Sequence, residues 1–495
     1  MSSIFETDAA LDKLATISIA RTKELMAQSD KLRDRREKAN RKRVARLFKD
    51  PKAIEATITL TDEVMRISSV KSSSRIFRRA AKKASITGFG PLNGIGLHAI
   101  GVLSHALPSP VVAAVHQRVR ALSKDLILAS EAEKLSKHMA KRFDKGIALN
   151  INVLGEAVLG DHEAELRFQS ILEMMRRPEV NYISVKLSSI VAQLIIIDID
   201  GSIDRVSEKM RILYREAQQH GVFVNLDMEE YRDLPMTVAA FKRVLDEEEF
   251  SSLTAGIVLQ AYLPEAHHFF GELVEWSKKR YQRSGGTIKV RLVKGANLAM
   301  ERAEAELHGW SPAPYRSKSD VDASYVRLID AALRPEHSKA VRIGIASHNL
   351  FHMTWALEVA KSRGVSDQID IEMLEGMANA EALAVTRSGH HVLFYTPVTN
   401  KDDFASAVAY LVRRLDENTS DENYLKAAFE IGTNPAKFAE QKARFENSVS
   451  QRHTIPTTSR RHQPDPVDYS TIFHNQASGD PTEPGYIKAV TDEIA

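Results

Sequence analysis

TIKVRLV, residues 287–293, followed directly by Lys294, Gly295 and Ala296, is a short β-rich run that ends in charge. Seven more runs share its texture: ALNINVL at 148–154, YISVKL at 182–187, VFVNLD at 222–227, AGIVLQAY at 255–262, VRIGIAS at 341–347, IDIEML at 369–374 and HVLFYTP at 391–397. Longer stretches of helical periodicity separate them, and a final helix is expected at 401–417. Near-continuous apolar runs mark strands buried on both faces, and strands alternating with helices mark parallel βα units. The expected fold is therefore α/β, a (β/α)8 barrel of the TIM type. A doubly wound open sheet is the alternative, but no GxGxxG follows any run and no P-loop occurs, so its nucleotide motifs are missing.

Residues 1 to about 140 read as helical with no convincing strand, so an all-helical region should precede the barrel. The expected division is 1–140 as helical arm and domain, 141–450 as barrel, and 451–495 as linker and tail, rich in Pro, Ser, Thr and Arg at its start. Between Lys31 and Lys49 ten basic residues face two acids, Asp34 and Glu37. Aromatics do not interleave with these charges, so a solvated helix packed by Leu32, Val44, Leu47 and Phe48 is expected rather than a nucleic-acid arm. The most apolar long stretch, Gly94 to Val115, is interrupted by His98, Ser104, His105, Pro108, Ser109 and Pro110. It is too broken to span a membrane and is expected to be a buried helix ending near Leu107.

Composition narrows the chemistry. Of 495 residues, 43% are hydrophobic and 27% charged, ordinary for a globular protein, and the net charge of +3 gives no whole-protein field. No cysteine is present, which excludes disulfides, thiolate metal sites and a cysteine nucleophile. The N-terminus lacks the pattern of a secretory signal, and a cytoplasmic setting is compatible with all of this.

Function in such a barrel gathers at the C-terminal strand ends. In strand order these carry Glu156, Lys186, Asp227, Gln260, Arg291 with Lys294, His348 with Asn349, Glu372 or Glu375, and Tyr395, and the last helix adds Arg413 and Arg414. Any one of them has an ordinary explanation as a cap, an ion-pair partner or a solvated side chain. Eight polar tips on one barrel are harder to assign to eight accidents, because burying polar groups is costly unless they are paired or used. Lys186, Arg413 and Arg414 suit a carboxylate or phosphate. There is no HExxH, no convincing metal spacing and no GxSxG. Read this far, the residues describe a barrel for an anionic small molecule, with a Schiff-base aldolase on Lys186 or Lys294 still open. A basic helical nucleic-acid module on an inactive barrel is also open.

The strand ends resemble the proline dehydrogenase domain of the proline utilisation A family. The matching segments are LGEAV at 154–158, VKLSSI at 185–190, VNLDMEE at 224–230, VLQAY at 258–262, RLVKGA at 291–296, ASHN at 346–349, YTPV at 395–398 and YLVRRLDEN at 410–418. Lys318, Asp322, Ser324 and Tyr325 in KSDVDASY also fit the pattern. The resemblance covers roughly residues 60 to 450 and implies FAD, oxidation of L-proline to Δ1-pyrroline-5-carboxylate, and electron transfer to a membrane quinone. It implies that Lys186, Arg413 and Arg414 hold the proline carboxylate, that Asp227 and Tyr395 line the ring, that Glu156 pairs with the arginines, and that Arg291 lies beside flavin N5. Gln260, Lys294, Gly295, Ala296, Lys318, His348, Asn349, Glu372, Leu374 and Glu417 are implied contacts of FAD or its pocket.

Two departures stand out. Asn297 and Leu298 replace two aromatics that many relatives carry, and Glu372 stands where many relatives place a glutamine. The N-terminus does not resemble the DNA-binding segment of some members, and nucleic acid is not an expected partner. The second family activity, glutamate-semialdehyde dehydrogenase, needs a further domain with a catalytic cysteine, so the chain is expected to be a piece of a bifunctional enzyme or a stand-alone relative. Peripheral membrane contact follows from the quinone, and a homo-oligomer is compatible with the family.

Overall fold

The computed structural model describes residues 5, 8–84, 86–155, 158–400, 404, 407–408, 410–412, 414, 423–461 and 477–494. Its strands are β1 (Leu128–Ala129), β2 (Ile147–Val153), β3 (Tyr182–Lys186), β4 (Phe223–Asp227), β5 (Ala255–Gln260), β6 (Ile288–Val293), β7 (Val341–Ala346), β8 (Ile369–Leu374) and β9 (Val392–Thr399). Strands β2 to β9 are the eight expected runs; β8 has the expected bounds and the other seven are trimmed or shifted by a residue or two. The sheet order is β1-β9-β2-β3-β4-β5-β6-β7-β8 with a further β9–β8 pairing, which closes an eight-stranded barrel. The registered pairs are parallel throughout.

Three details differ from the sequence reading. The region read as purely helical contains β1, in register Leu128↔Val398 and Ala129↔Thr399. Two residues are too short for a period-2 signal, so only the neighbouring strand defines this one. The helix expected to end near Leu107 runs Pro91–Leu103, and a second begins at Pro108. The first is only partly buried: Leu97 packs on the core, but Ile95, Ile100, Val102 and Leu103 are 43% to 77% exposed. Of the final barrel helix, Phe404, Ala407, Val408 and Leu411 are buried, and the rest lies largely outside the described residues.

The chain divides into two compact units. The first comprises Met1–Thr22, Glu156–Glu372 and Ala443–Ala495. In it the strands alternate strictly. Ile183, Val185, Val224, Leu226, Ile257, Leu259, Val290, Leu292, Ile343 and Ile345 are at most 1% exposed. Each such aliphatic contributes roughly 1.5–3 kcal/mol of burial. The alternate positions include Ser184, Lys186, Asn225, Asp227, Gln260, Lys289 and Arg291, and Arg291 of β6 reaches Asp227 of β4 and Ser184 of β3, strands that are not its neighbours. That face therefore points into the barrel. Outer helices bury apolar stripes, for example Val206, Met210, Leu213 and Tyr214 of Ile199–His220, which stops at Gly221 in the left-handed conformation (φ 66°). The segment read as a linker is anchored in this unit: Tyr315 Oη donates to the Pro456 carbonyl at 2.5 Å and Arg327 to that of Ile455 at 3.0 Å.

The second unit comprises Lys23–Gly155 and Met373–Lys442. Its helical part is centred on Val64, Phe77, Ala81 and Val111, packed by Leu60, Ile76, Leu97 and Val115. The basic helix is Arg35–Phe48, begun by Asp34, whose carboxylate accepts from the Glu37 N–H at 2.7 Å. Phe48 is buried, Leu32, Val44 and Leu47 half-buried, and Arg33 and Arg41 both pair with Glu381. This is the packed helix the sequence suggested, and its ion pairs to Glu381 were not part of that expectation.

Candidate active site

Lys186, Asp227 and Gln260 are the last residues of β3, β4 and β5. Arg291 sits two residues before the end of β6, in register with Gly344 of β7. Its guanidinium is shared three ways: Nε donates to Glu372 at 2.6 Å, Nη1 to Asp227 at 2.7 Å and Nη2 to Ser184 Oγ at 3.3 Å. Asn225 also donates to Asp227, at 3.1 Å. Burial pushes the Glu372 carboxyl up, but the Arg291 and Lys289 cations outweigh it and hold the group below its ordinary value. Glu372 is thus a buried carboxylate, and Arg291 is fixed by two acids on opposite sides.

Beside this hub, Lys186 Nζ lies 2.8 Å from Glu229. The Gln260 amide donates to the Glu229 carbonyl oxygen at 3.2 Å, while its buried Oε1 has no hydrogen-bond partner among the described residues. Glu229 belongs to the quoted VNLDMEE segment, yet its pairing with Lys186 depends on the fold and could not be read from spacing.

A second cationic cluster lies just beyond β6. Lys294 donates to Asp322 at 2.6 Å and to His352 Nδ1 at 2.9 Å, and Lys318 pairs with the same Asp322 oxygen. Two ammonium groups crowd one carboxylate. Burial, partly offset by Asp322 and reinforced by Lys318, pushes Lys294 down to about 7. Burial also drives His352 well below its ordinary value, with Lys294 adding to the effect, so the ring is neutral and accepts the lysine proton. Gly295 holds φ 125°, and a Cβ there would meet the Tyr262 ring at 2.4 Å, so the loop after β6 admits no side chain at that point. Ala296 beside it is exposed.

The remaining expected residues fall in different settings. Asn349 caps the helix Leu350–Ser362, its side chain accepting from the Phe351 N–H at 3.0 Å, and His348 is half-buried beside it. Asn297, in place of an aromatic, is buried and stands before the helix Leu298–His308 without capping it. In the second unit, Tyr395 lies in β9 opposite Asn150, and its carbonyl oxygen accepts from the Glu375 N–H at 3.0 Å. Glu375 is buried against Arg142 and is 3.5 Å from His138. Leu374 ends β8, and the Arg414 guanidinium lies 5.3 Å from the Tyr410 ring centroid. Glu156, Arg413 and Glu417 lie outside the described residues. Lys289, Asp370, Glu229 and His352 were not singled out from the sequence. A charged residue inside an otherwise apolar strand was the available signal for the first two.

The family model described as proline dehydrogenase matches residues 135–427. Proline dehydrogenase 2 of Bacillus subtilis is 27% identical over 282 residues, covering 56% of this chain and 80% of that protein. The bifunctional protein PutA of Escherichia coli is 22% identical over 329 residues, 63% of this chain and 24% of that protein. Among solved structures, proline utilization A from Corynebacterium freiburgense is 45% identical with a TM-score of 0.68, covering 76% of this chain and 36% of that one. That from Bdellovibrio bacteriovorus, at 22% identity, shares the fold over 97% of this chain and 48% of its own, with a TM-score of 0.78. The chain therefore spans half or less of the bifunctional relatives it matches. With its barrel strands and their polar tips inside the matched span, the chain belongs to the proline dehydrogenase family.

Proposed function

We propose that this chain oxidises L-proline to Δ1-pyrroline-5-carboxylate, using FAD and passing the electrons to a quinone. The observation that carries this reading is the Arg291 hub, a guanidinium fixed by Asp227 and Glu372 inside a barrel of this family. The residues present fit a flavin dinucleotide. Gln260 Oε1 is a buried acceptor with no donor among the described residues, suited to a ring N–H. Lys294 and Lys318 exceed the charge of the one carboxylate they share, which suits a pyrophosphate. FAD, when bound, supplies hydride acceptance at N5, which removes hydrogen from proline C5 as the ring nitrogen loses its proton.

The chain's own residues bind and orient. Lys186 is assigned to the proline carboxylate: an ammonium has three donors, and Glu229 engages one of them. Arg413 and Arg414 are assigned to the same carboxylate, and Glu156 to the arginines. Asp227 and Tyr395 are assigned to the ring, and Arg291 to the flavin edge, where a fixed cation favours the reduced anion. Gly295, Ala296, His348, Asn349, Leu374 and Glu417 are assigned to the flavin pocket, Asn349 through the helix it caps. Fixing the substrate's C5–H against an acceptor is catalysis by orientation.

We also propose a cytoplasmic enzyme that meets the membrane at its surface. Among the described residues no helix is long and apolar enough to cross a membrane. Between Ile67 and Lys124 the basic residues are Lys71, Arg75, Arg78, Arg79, Lys82, Lys83, Arg118, Arg120 and Lys124, with no Asp or Glu. The exposed Ile95, Ile100, Val102, Leu103 and Leu107 lie in the same stretch. Basic charge with exposed aliphatics suits an anionic lipid surface, where the quinone resides. A homo-oligomer, a C-terminal aldehyde dehydrogenase domain as in the bifunctional relatives, and the division at 140 and 450 complete the proposal. The test is a product assay: FAD-loaded protein with L-proline and an artificial acceptor should form Δ1-pyrroline-5-carboxylate. Loaded protein that forms none overturns the reading.

A further inference from the structure

Glu372 presents a physical difficulty. Arg291 already faces one carboxylate, that of Asp227, at 2.7 Å. A second carboxylate at 2.6 Å would overcompensate the guanidinium and leave the hub net negative, opposing charge on a reduced flavin.

Lys289 removes the difficulty. It precedes Arg291 by two residues on β6, so it points into the same interior about 7 Å deeper along the strand. The side chain is 3% exposed, and its Nζ lies 2.7 Å from Glu372 and 2.8 Å from Asp370. Arg342 lies 3.4 Å from the other Asp370 oxygen and is 41% exposed. Among the described residues the order is Asp227, Arg291, Glu372, Lys289, Asp370, Arg342, and the charges alternate along it. A separate observation shows that the barrel is built around this pair. A Cβ on Gly344 would stand 2.2 Å from Glu372 Oε1 and 3.0 Å from Lys289 Cε, so β7 gives up its side chain where the two meet.

We propose that Lys289 is a positioning residue of the active site: it neutralises Glu372, so that this carboxylate aims Arg291 without cancelling the charge Arg291 presents to the flavin. Glu372 and Lys289 form a matched pair, and the acid at 372 is tolerated because of the lysine at 289. The inference rests on the flavin reading and adds a residue through which the protein sets the flavin's reduction equilibrium.

The experiment measures the flavin midpoint potential of the full chain as Lys289→Met, Glu372→Gln and the double variant K289M/E372Q. Lys289→Met should shift the two-electron equilibrium against reduction by about tenfold, ~30 mV for this couple. Glu372→Gln should shift it the other way, and the double variant should return to within about threefold of wild type. A double variant as far from wild type as Lys289→Met overturns the proposal. Removing one partner of a buried ion pair is strongly destabilising, so Lys289→Met could fail to accumulate. Wild type, Glu372→Gln and the double variant then decide: a double variant near wild type supports the pair, and one displaced tenfold against reduction overturns it. Wild-type protein that takes up no flavin at all is a different result, and it removes the function reading and this inference together.

Discussion

Arg291 on β6 and Glu372 on β8 meet inside the barrel, Nε donating to Oε2 at 2.6 Å, with both side chains at most 5% exposed. The pair is the middle of an interior that is charged where many barrels of this class hold layers of aliphatic side chains. Such an interior gains little net stability, because desolvation offsets most of the attraction. Its value is a fixed direction for each charge.

Replacing Arg291 with Met should therefore cost both activity and stability. Asp227 and Glu372 would lose their shared cation, an expected loss of about 3–5 kcal/mol for a broken buried pair. Turnover should fall by about 100-fold or more, as for removal of a preorganised electrostatic group. Thermal melts and steady-state kinetics with an artificial acceptor check the two effects separately.

Lys294 gives a pH dependence of defined sign. Its ammonium is pushed down to about 7 by burial and the neighbouring Lys318. A bound phosphate favours the charged form, so binding takes up a proton whenever the free protein has shed it. FAD affinity of the apoprotein should fall as pH rises from ~6 to ~9. Titration of Lys294→Met over the same range should give a flat profile at weaker affinity. An equal slope in the variant would assign the effect to another group.

Asp233 lies at the start of the helix Leu234–Leu245, where burial and then Glu230 push its carboxyl up to about 7. The folded protein then binds this proton more tightly than the unfolded chain, whose carboxyl has an ordinary value near ~4. Its contribution to stability therefore falls as pH rises from ~4 to ~7 and stays low above. Asp233→Asn should raise the unfolding free energy at pH ~8 by roughly 1–2 kcal/mol, with a higher melting temperature, and change both little at pH ~4. Calorimetry at the two pH values tests the difference.

The exposed aliphatics near Leu103 predict lipid selectivity. Full chain should sediment with phosphatidylglycerol-containing vesicles at low salt and not with pure phosphatidylcholine. V102D/L103D should reduce that binding at least ~10-fold, with unchanged turnover on a soluble acceptor. Binding that survives the variant, or a change of oligomeric state in place of vesicle binding, would place another partner on this surface.

Much of the barrel was legible because strands buried on both faces leave apolar runs, and all eight fall within a residue or two of β2 to β9. Lys186, Asp227 and Gln260 were legible as polar residues ending those runs. Their partners were not. Glu229 reaches Lys186 from the segment after β4, and His352 reaches Lys294 from a helix 58 residues away, contacts that only closure of the fold creates. The Pro91–Leu103 helix misled for a related reason: apolar composition says a side chain favours burial, but whether anything covers it depends on the neighbours. Glu372 read as a departure from the glutamine of many relatives, and the lysine that answers it sits 83 residues earlier in sequence and 2.7 Å away in space.

The most direct test of the central claim is the absorbance spectrum of FAD-reconstituted protein, recorded before and after adding L-proline without oxygen. The account predicts flavin bands that bleach on proline as the two-electron reduced form accumulates. A protein that takes up no flavin, or one whose bands persist with excess proline, would contradict it.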